Sequence, residues 1–383
     1  MNARLLRYGF LGWLSLALVW AAIRWWVLVI YYQRLRLPAA GDLRIMVFAG
    51  ISGVRHGWDW VYQPAHFMPA LAAWGGPADT PVREPPVVAL VLTPLSLVPW
   101  PAAAYLWLAV SAVLFAAGVL LISRDAAPSR RVALLAACFG FFPVFVALGQ
   151  GNDTAIAFFG VALAYRLASD GREKAAGAAL ALALFKPQMM FLAPVALLAA
   201  GRWRLVAASA LTSVGLVLAT LLVTGPRTFS LWVQELGGSA GQSNRIWTEL
   251  NTAAYYLPRP LLPVLILLGA AAAAWAGWRF RRSPKALEAA FAVGIVASLL
   301  ATPYADPQEF SALLIAGWLL WRVWPRPAVG LALVLLYAGL TLTFLNLPSP
   351  VPLVEVAVLL AVLATTLPRL QARLTPAPAQ GTA

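Results

Sequence analysis

Long apolar runs separated by short polar breaks dominate the chain, and the first of them predicts a helix over about 8–32. A helix needs about 20 consecutive apolar residues to cross a bilayer. Further apolar runs follow in close succession, at about 102–123, 132–149, 153–168, 174–200, 204–224, 260–280, 286–302, 308–322, 327–346 and 351–368. The pattern therefore predicts an all-α, polytopic integral membrane protein.

Composition and charge support this interpretation and exclude other classes of protein. The chain is 62% hydrophobic and 11% charged, whereas a soluble domain keeps about 25% of its residues charged. Its net charge is +14, but the basic residues form short clusters between apolar runs, as the positive-inside rule predicts, so nucleic acid is not an expected partner. With one cysteine and two histidines, a Cys/His metal centre is excluded, and we expect neither a metal nor another cofactor.

The basic clusters determine the predicted topology. They all fall on one side of the membrane only if the run 174–200 forms two short spans that turn at Lys186-Pro187, where proline breaks the helix. This arrangement gives about twelve spans in a single domain, 1–374, with both termini cytoplasmic and a disordered tail at 375–383. The clusters are Arg4 and Arg7; Arg124, Arg130 and Arg131; Arg172 and Lys174; Arg202 and Arg204; Arg279, Arg281, Arg282 and Lys285; Arg322 and Arg326; Arg369 and Arg373.

The opposite, extracytoplasmic side then receives most of the remaining polar residues. They lie in two long loops, about 32–101 and 225–259, and in shorter turns at 149–153, 186–188 and 302–310. The first loop contains an apolar segment, 85–99, that would be about 22 Å long as a helix against a bilayer core of about 30 Å. We therefore expect interfacial helices in this loop rather than a further span.

Five segments on the extracytoplasmic side carry a family resemblance. They are GDLRIMVFAGISG followed by GWDWVY, then REPPVVALVLTPLSLVP, GQGND, LALALFKPQMM and TPYADPQEF. In this order they resemble glycosyltransferase family 87, which belongs to the multi-spanning GT-C class of polyprenyl-phosphate-sugar-dependent glycosyltransferases. The resemblance covers most of the chain. Two departures are Glu84, where an aromatic residue is common, and Tyr304 with Glu309, where many relatives carry His or Asp.

The resemblance implies a role for Asp42 as the general base. Its spacing alone favours a helix N-cap, but the acidic residue of the first loop is the presumed base in the GT-C class. A carboxylate in this position can take the proton of an attacking sugar hydroxyl. Because no second carboxylate stands at a fixed spacing, we expect inversion at the anomeric carbon.

Cations are needed where the leaving lipid phosphate develops negative charge. Lys186, next to a proline break in an apolar run, is the leading candidate, and Arg245 in the second long loop is another. The alternative for Lys186 is a side chain that snorkels to the membrane interface. An ordinary solvated loop would also account for Arg245.

A further group of polar residues is expected to bind the sugar substrates. The GQGND turn could also simply cap the next helix, and prolines around 302–310 could simply shape a turn. Both alternatives remain open beside the binding roles. The expected substrate-binding residues are Tyr62, Gln150, Asn152, Gln188, Asn251 and Glu309.

The sequence therefore predicts a multi-pass enzyme of the cell membrane. It would transfer a sugar, mannose or another hexose or pentose, from a polyprenyl-phosphate donor to a lipid-linked or cell-envelope acceptor. The alternatives are a polytopic transporter and a non-catalytic envelope assembly protein. A transporter calls for polar residues near the bilayer midplane and matching halves, whereas here the polar residues cluster on one face and no internal repeat is evident.

Overall fold

A computed structural model describes residues 41–77, 80–239 and 257–325, together with positions 330, 333, 337, 355–357 and 359. All regular elements in these ranges are helical, which confirms the predicted all-α class for this part of the chain. The α-helices are α1 Gly41–His56, α2 Trp58–Val61, α3 Pro64–Ala73, α4 Pro86–Leu92, α5 Trp100–Ile122, α6 Pro128–Gly140, α7 Phe142–Gln150, α8 Thr154–Ser169, α9 Glu173–Leu180, α10 Ala193–Ala199, α11 Trp203–Thr224, α12 Pro226–Ser239, α13 Leu262–Phe280, α14 Ala286–Ala301 and α15 Ala312–Val323. The predicted first span and the predicted tail lie outside the described residues.

Helices α1 to α4 form a small group with its own hydrophobic core. Leu43 and Val47 of α1 are buried with Phe67 and Leu71 of α3 and with Val88 of α4. After α4 the chain continues as a 3₁₀-helix, Thr93–Leu97. Together these two pieces are about 20 Å long, which is too short to cross a bilayer. The apolar segment of the first loop is thus helical and as short as the sequence predicts, and its interfacial placement stays a prediction.

Three helices in the described ranges, α5, α11 and α13, are long and apolar enough to cross a membrane, and α6 with α7 forms a fourth candidate bent by 58°. The bend falls at Phe141, directly before a helix whose second residue is Pro143. Helices α8 and α14 are apolar but shorter. The expectation of about twelve spans exceeds these three or four candidates. Three predicted spans fall wholly or largely on residues that are not described, so the number of spans stays a prediction.

The apolar run 174–200 turns back at Lys186-Pro187, where the proline indicates a break. Helix α9 is followed by a 3₁₀-helix, Ala181–Phe185, and then by the break at Lys186. Arg202, after α10, donates a hydrogen bond of 2.9 Å to Glu173 at the start of α9. A continuous helix would separate these two residues by about 44 Å. The chain therefore doubles back, although the crossing of a membrane by either arm remains a prediction.

Ion pairs gather several of the predicted basic clusters at one end of the helices. Arg124 and Arg322 belong to two of these clusters: Arg124 lies 3.6 Å from Asp170, and Arg322 lies 3.5 Å from Glu288 and 3.9 Å from Asp125. Arg166, which lies inside a predicted apolar run, pairs with Asp125 and Asp170. Helix α8 runs from Asp153 to this end, and α14 runs from this end to Thr302. The polar turns at 149–153 and 302–310 therefore lie at the opposite end. This separation agrees with the charge pattern of the sequence, whereas the side of the membrane that each end faces stays a prediction.

Helix α14 is the centre of the larger core, since each of its residues is buried. Small residues let the neighbouring helices approach it closely. A Cβ atom added at Gly294 would lie 2.5 Å from the Cα atom of Ala193 in α10. The α10–α14 contact therefore depends on the absence of a side chain at this position.

We expect Gly294→Ala to destabilise the protein by about 1–3 kcal/mol, because overpacking forces neighbouring backbones apart. The measurement is the Tm of the purified protein in detergent. Gly215→Ala is the matched control, since a Cβ there meets nothing within 4 Å and alanine is the better helix former. Equal Tm values for the two variants would contradict this account of the packing.

Candidate functional site

Asp42 lies in the first turn of α1 and contacts the GQGND turn. Its Oδ2 atom accepts a hydrogen bond of 2.7 Å from Nδ2 of Asn152. The Oδ1 atom of Asn152 accepts hydrogen bonds from the backbone N–H and the hydroxyl of Thr154. Asn152 is thus fixed at both ends of its amide, with its NH₂ group directed at Asp42. It satisfies the N–H group of Thr154, the first residue of α8, and also orients the Asp42 carboxylate.

The GQGND turn owes its shape to glycine. Helix α7 ends at Gln150, and Gly151 follows with a φ of 65°, a left-handed conformation that glycine adopts without strain. Trp107 Nε1 donates a hydrogen bond of 2.8 Å to the carbonyl oxygen of Gly151. A Cβ atom at Gly41 would lie 3.4 Å from Oε1 of Gln150. Gln150 and Asn152 therefore both lie beside the start of α1.

The surroundings of Asp42 raise its pKa to about 7. Burial is the largest cause, and the negative charges of Glu84 and Asp306 add to it, whereas the hydrogen bond from Asn152 and the charge of Lys186 oppose the shift. A general base works best when its pKa is close to the working pH. The pKa of Asp42 therefore suits proton acceptance near neutral pH.

Lys186 lies at the break between α9 and α10 and is surrounded by carboxylates. Its Nζ atom is 3.3 Å from Glu309 Oε1, 3.4 Å from Asp153 Oδ1 and 3.8 Å from Glu84 Oε1. The residue is only 5% exposed, so the alternative in which it snorkels to the interface does not fit. Asp153 follows Asn152 directly, so Asp42 and Lys186 belong to one site.

The acidic groups around Lys186 outnumber it. Oδ2 of Asp153 and Oε2 of Glu309 are buried and have no hydrogen-bond partner within the described ranges. Buried charges must be compensated, and the ammonium of Lys186 is the cation that compensates its three acidic neighbours. A donor phosphate would have to compete with them for this cation.

The loop 302–306 supplies another carboxylate. Tyr304 donates a hydrogen bond of 2.7 Å from its hydroxyl to Oδ2 of Asp306, and Gln308 Nε2 lies 3.4 Å from the same oxygen. Burial raises the pKa of Asp306, while the charge of Lys186 lowers it. Asp306 in turn raises the pKa of Asp42, so this loop is part of the same electrostatic site.

Two residues that are predicted to bind substrate, Tyr62 and Glu309, are buried and contact other residues of the site. Tyr62 is only 3% exposed, and its hydroxyl donates a hydrogen bond of 2.9 Å to the backbone oxygen of Glu84. Glu309 is fully buried beside Lys186. Substrate contact by either side chain stays a prediction. Gln188 lies in the 3₁₀-helix Pro187–Met189 and is half-buried; Arg245 and Asn251 lie outside the described residues.

Sequence reasoning missed four charged groups of this site: Arg83, Glu84, Asp153 and Asp306. Glu84 stood out only as a departure from an aromatic position, and Asp153 only as a helix cap. The signal that could have found the acids is Lys186 itself, because a buried ammonium requires opposite charge nearby. Despite these acids, the described ranges contain no group of three or more His, Cys, Asp or Glu side chains arranged to hold a metal ion.

Arg83 is the second cation near the site. Its backbone oxygen accepts a hydrogen bond of 2.9 Å from Trp232 Nε1, which joins the first loop to α12. Its charge lowers the pKa of Asp306, so the guanidinium acts on the acidic group. Its Nε atom is buried and has no hydrogen-bond partner among residues that the structure describes.

Sequence comparison identifies the family. A model of glycosyltransferase family 87 matches residues 84–303, which is more than half of the chain. The match includes Glu84, Asn152 and Lys186, whereas Asp42 and Glu309 lie outside it. Comparisons with curated proteins and with solved structures give no significant match. The chain, which its long apolar helices mark as a membrane protein, therefore belongs to glycosyltransferase family 87.

Proposed function

We propose that the protein is a multi-pass membrane glycosyltransferase of GT-C type that uses a polyprenyl-phosphate sugar as donor. The sugar is mannose or another hexose or pentose, and the acceptor is lipid-linked or part of the cell envelope. The observation that carries the proposal is the hydrogen bond between Asp42 and Asn152. This bond connects Asp42, in the first loop, to the GQGND turn, which lies within the residues that the family model matches.

The orientation follows from the separation of charge along the helices. The basic clusters around Arg166 and Arg322 would face the cytoplasm, by the positive-inside rule. Asp42 and Lys186, at the other end, would then face the extracytoplasmic side. A lipid-linked donor suits this placement because it carries the sugar at the membrane surface, away from the cytoplasmic nucleotide sugars.

Asp42 would act as the general base. The hydroxyl oxygen of the acceptor attacks the anomeric carbon and forms the new glycosidic bond, while the hydroxyl proton passes to the Asp42 carboxylate. The bond from the anomeric carbon to the phosphate oxygen breaks, and polyprenyl phosphate leaves with the electron pair. Among the described residues, Glu84, Asp153 and Glu309 are engaged with Lys186, and Asp306 accepts a hydrogen bond from the Tyr304 hydroxyl. None of these carboxylates is free to act as a nucleophile, so we expect inversion.

Arg83 would be the main cation that binds the donor phosphate. No carboxylate among the described residues lies within ion-pair distance of Arg83, and its guanidinium can bind two phosphate oxygens at once. Lys186 would contribute to phosphate binding only when one of its three acidic partners is protonated or moves away. Its constant role is to neutralise those partners. Arg245 remains a further candidate for the phosphate.

We expect Arg83→Gln to lower kcat/KM for the donor by about 10- to 100-fold, since a hydrogen bond to a charged group is worth about 1.5–3 kcal/mol. The measurement is transfer rate against donor concentration. Arg227→Gln is the matched control, because Arg227 is 76% exposed and lies 3.7 Å from Asp59, away from Lys186. Unchanged kinetics in Arg83→Gln would remove Arg83 from the phosphate site.

The pH dependence of transfer should report the pKa of Asp42. Since only the carboxylate form can accept a proton, kcat/KM should fall as the pH drops below about 7, the raised pKa of Asp42. In Asn152→Ala the hydrogen bond that stabilises the carboxylate is lost, so the acidic limb should move to higher pH. A limb near pH 4, or one that Asn152→Ala does not move, would contradict this assignment.

The proposed function is tested by supplying the purified protein with a panel of donors and a membrane lipid extract as acceptor. The panel contains radiolabelled polyprenyl-phosphate hexoses and pentoses, with nucleotide sugars in parallel. We expect a labelled product from a lipid-phosphate donor, with inverted anomeric configuration by NMR. Product from nucleotide sugars alone would overturn the donor assignment. Sugar uptake into proteoliposomes without any transfer would favour the transporter.

A further inference from the structure

A cavity of about 230 Å³ lies at the basic end of the helices, opposite Asp42. Its walls include Asp125 in the loop between α5 and α6, Arg130 in α6, and Trp318, Trp321 and Arg322 in α15. The cavity thus lies where α15 meets the consecutive helices α5 and α6. None of these residues takes part in the proposed transfer reaction.

The charges in this cavity are fixed and favour an anion. Arg166 donates hydrogen bonds of 3.1 Å to both oxygens of Asp125, and Arg322 lies 3.9 Å from the same carboxylate, so the acid in the wall is already neutralised. Arg322 donates a hydrogen bond of 2.9 Å to the hydroxyl of Tyr165 and lies 3.5 Å from Glu288. Arg130 is exposed, and no carboxylate in the described ranges pairs with it. The cavity therefore presents one uncompensated cation, Arg130, beside Arg322, whose position is fixed by Tyr165 and whose charge is shared with Glu288 and Asp125.

The walls are also held in place before any ligand binds. Arg131 donates hydrogen bonds to the carbonyl oxygens of Ala126 (3.0 Å) and Arg124 (2.5 Å), which fixes the loop after α5. Trp318 Nε1 donates a hydrogen bond of 3.0 Å to the carbonyl oxygen of Ile122. Trp321 is 36% exposed. Tryptophan rings prefer the level of the lipid headgroups, so these rings mark the cavity as interfacial.

We propose that this cavity binds an anionic phosphate ester, the group carried by a phospholipid headgroup, with Arg130 as the principal cation and Arg322 as the second. Basic pockets between helices on the cytoplasmic side of a membrane favour such headgroups. Pockets that enclose drug-sized ligands have volumes of about 300–1,000 Å³. The smaller cavity here suits a headgroup phosphate with Trp321 against its apolar part, rather than a nucleotide or a whole lipid. The bound lipid would link α5, α6 and α15.

The test compares lipids bound to the full-length protein in detergent. Phosphatidylglycerol should be retained in native mass spectrometry and should raise the Tm, whereas phosphatidylcholine should do neither. Arg130→Gln should weaken phosphatidylglycerol binding at least about 10-fold, the loss of one hydrogen bond to a charged group. Arg124→Gln is the matched control, because Arg124 is 62% exposed in the adjacent loop and lies 3.6 Å from Asp170.

Each other outcome overturns a part of the proposal. Equal loss of binding in Arg130→Gln and Arg124→Gln would replace the pocket with diffuse surface charge. Stabilisation by inorganic phosphate to the same extent as by phosphatidylglycerol would assign the site to the free ion and overturn the lipid. No preference between the two lipids would overturn the site itself. Sugar transfer in detergent should be unchanged in Arg130→Gln, which separates this pocket from the site at Asp42.

Discussion

Replacement of Asp42 by Asn is expected to lower kcat/KM for sugar transfer by at least about 100-fold, because removal of a general base costs about 10²–10⁴. The amide has nearly the same shape as the carboxylate but cannot accept the proton of the acceptor hydroxyl. Expression and Tm should be maintained, since burial already disfavours the negative charge of Asp42. The measurement is the initial rate of transfer as a function of acceptor concentration, at saturating donor.

Asp59→Asn is the matched control for this experiment. Asp59 lies in α2 of the same loop, and its side chain is 39% exposed beside Arg227. Its loss should leave the rate within about twofold of the unmodified protein, because exposed ion pairs contribute about 0–1 kcal/mol. Full activity in Asp42→Asn would remove the general-base assignment, whatever the control shows.

Replacement of Lys186 by Met should have the largest effect on stability. Removal of one partner of a buried ion pair costs about 3–5 kcal/mol, because the opposite charges stay buried without compensation. Here the three acids Glu84, Asp153 and Glu309 would lose their common cation. The Tm in detergent, together with the yield of folded protein, measures the loss.

The double variant Lys186→Met/Glu309→Gln should be more stable than Lys186→Met alone, since it removes one of the uncompensated acids. Lys174→Met serves as the control, because Lys174 is exposed at the start of α9 and its loss should change the Tm little. If Lys186→Met keeps the Tm of the unmodified protein, the network does not stabilise the fold. Lys186 would then be free to bind phosphate, as its sequence context first indicated.

Features of the fold that depend on local chemistry were predictable from the sequence. The turn at Lys186-Pro187 follows from the proline, and the grouping of Arg124 and Arg322 follows from charge in the breaks between apolar runs. Arg166 lies inside a predicted apolar run, and its place in this group was not predicted. The number of membrane spans, and which helices form them, were harder to predict from the sequence. Hydrophobicity indicates burial but does not distinguish a helix facing lipid from one enclosed by protein, and α14 is buried along its whole length.

The candidate site was predictable only in part, for a similar reason. Asp42, Gln150, Asn152 and Lys186 were selected from the sequence, and the structure brings them to one end of the helices. The acids that hold Lys186 were missed because contacts between distant segments have no local pattern. Tyr62 and Glu309 were placed in the right region, but which way their side chains face depends on the packing around them.

The most direct test of the account is a structure of the protein with a non-cleavable polyprenyl-phosphonate sugar bound. We predict that the anomeric carbon of the ligand lies beside the Asp42 carboxylate and that its phosphonate contacts Arg83. Density for the sugar and phosphonate at the basic end, near Arg166 and Arg322, or at any place out of reach of Asp42, would contradict the central claim.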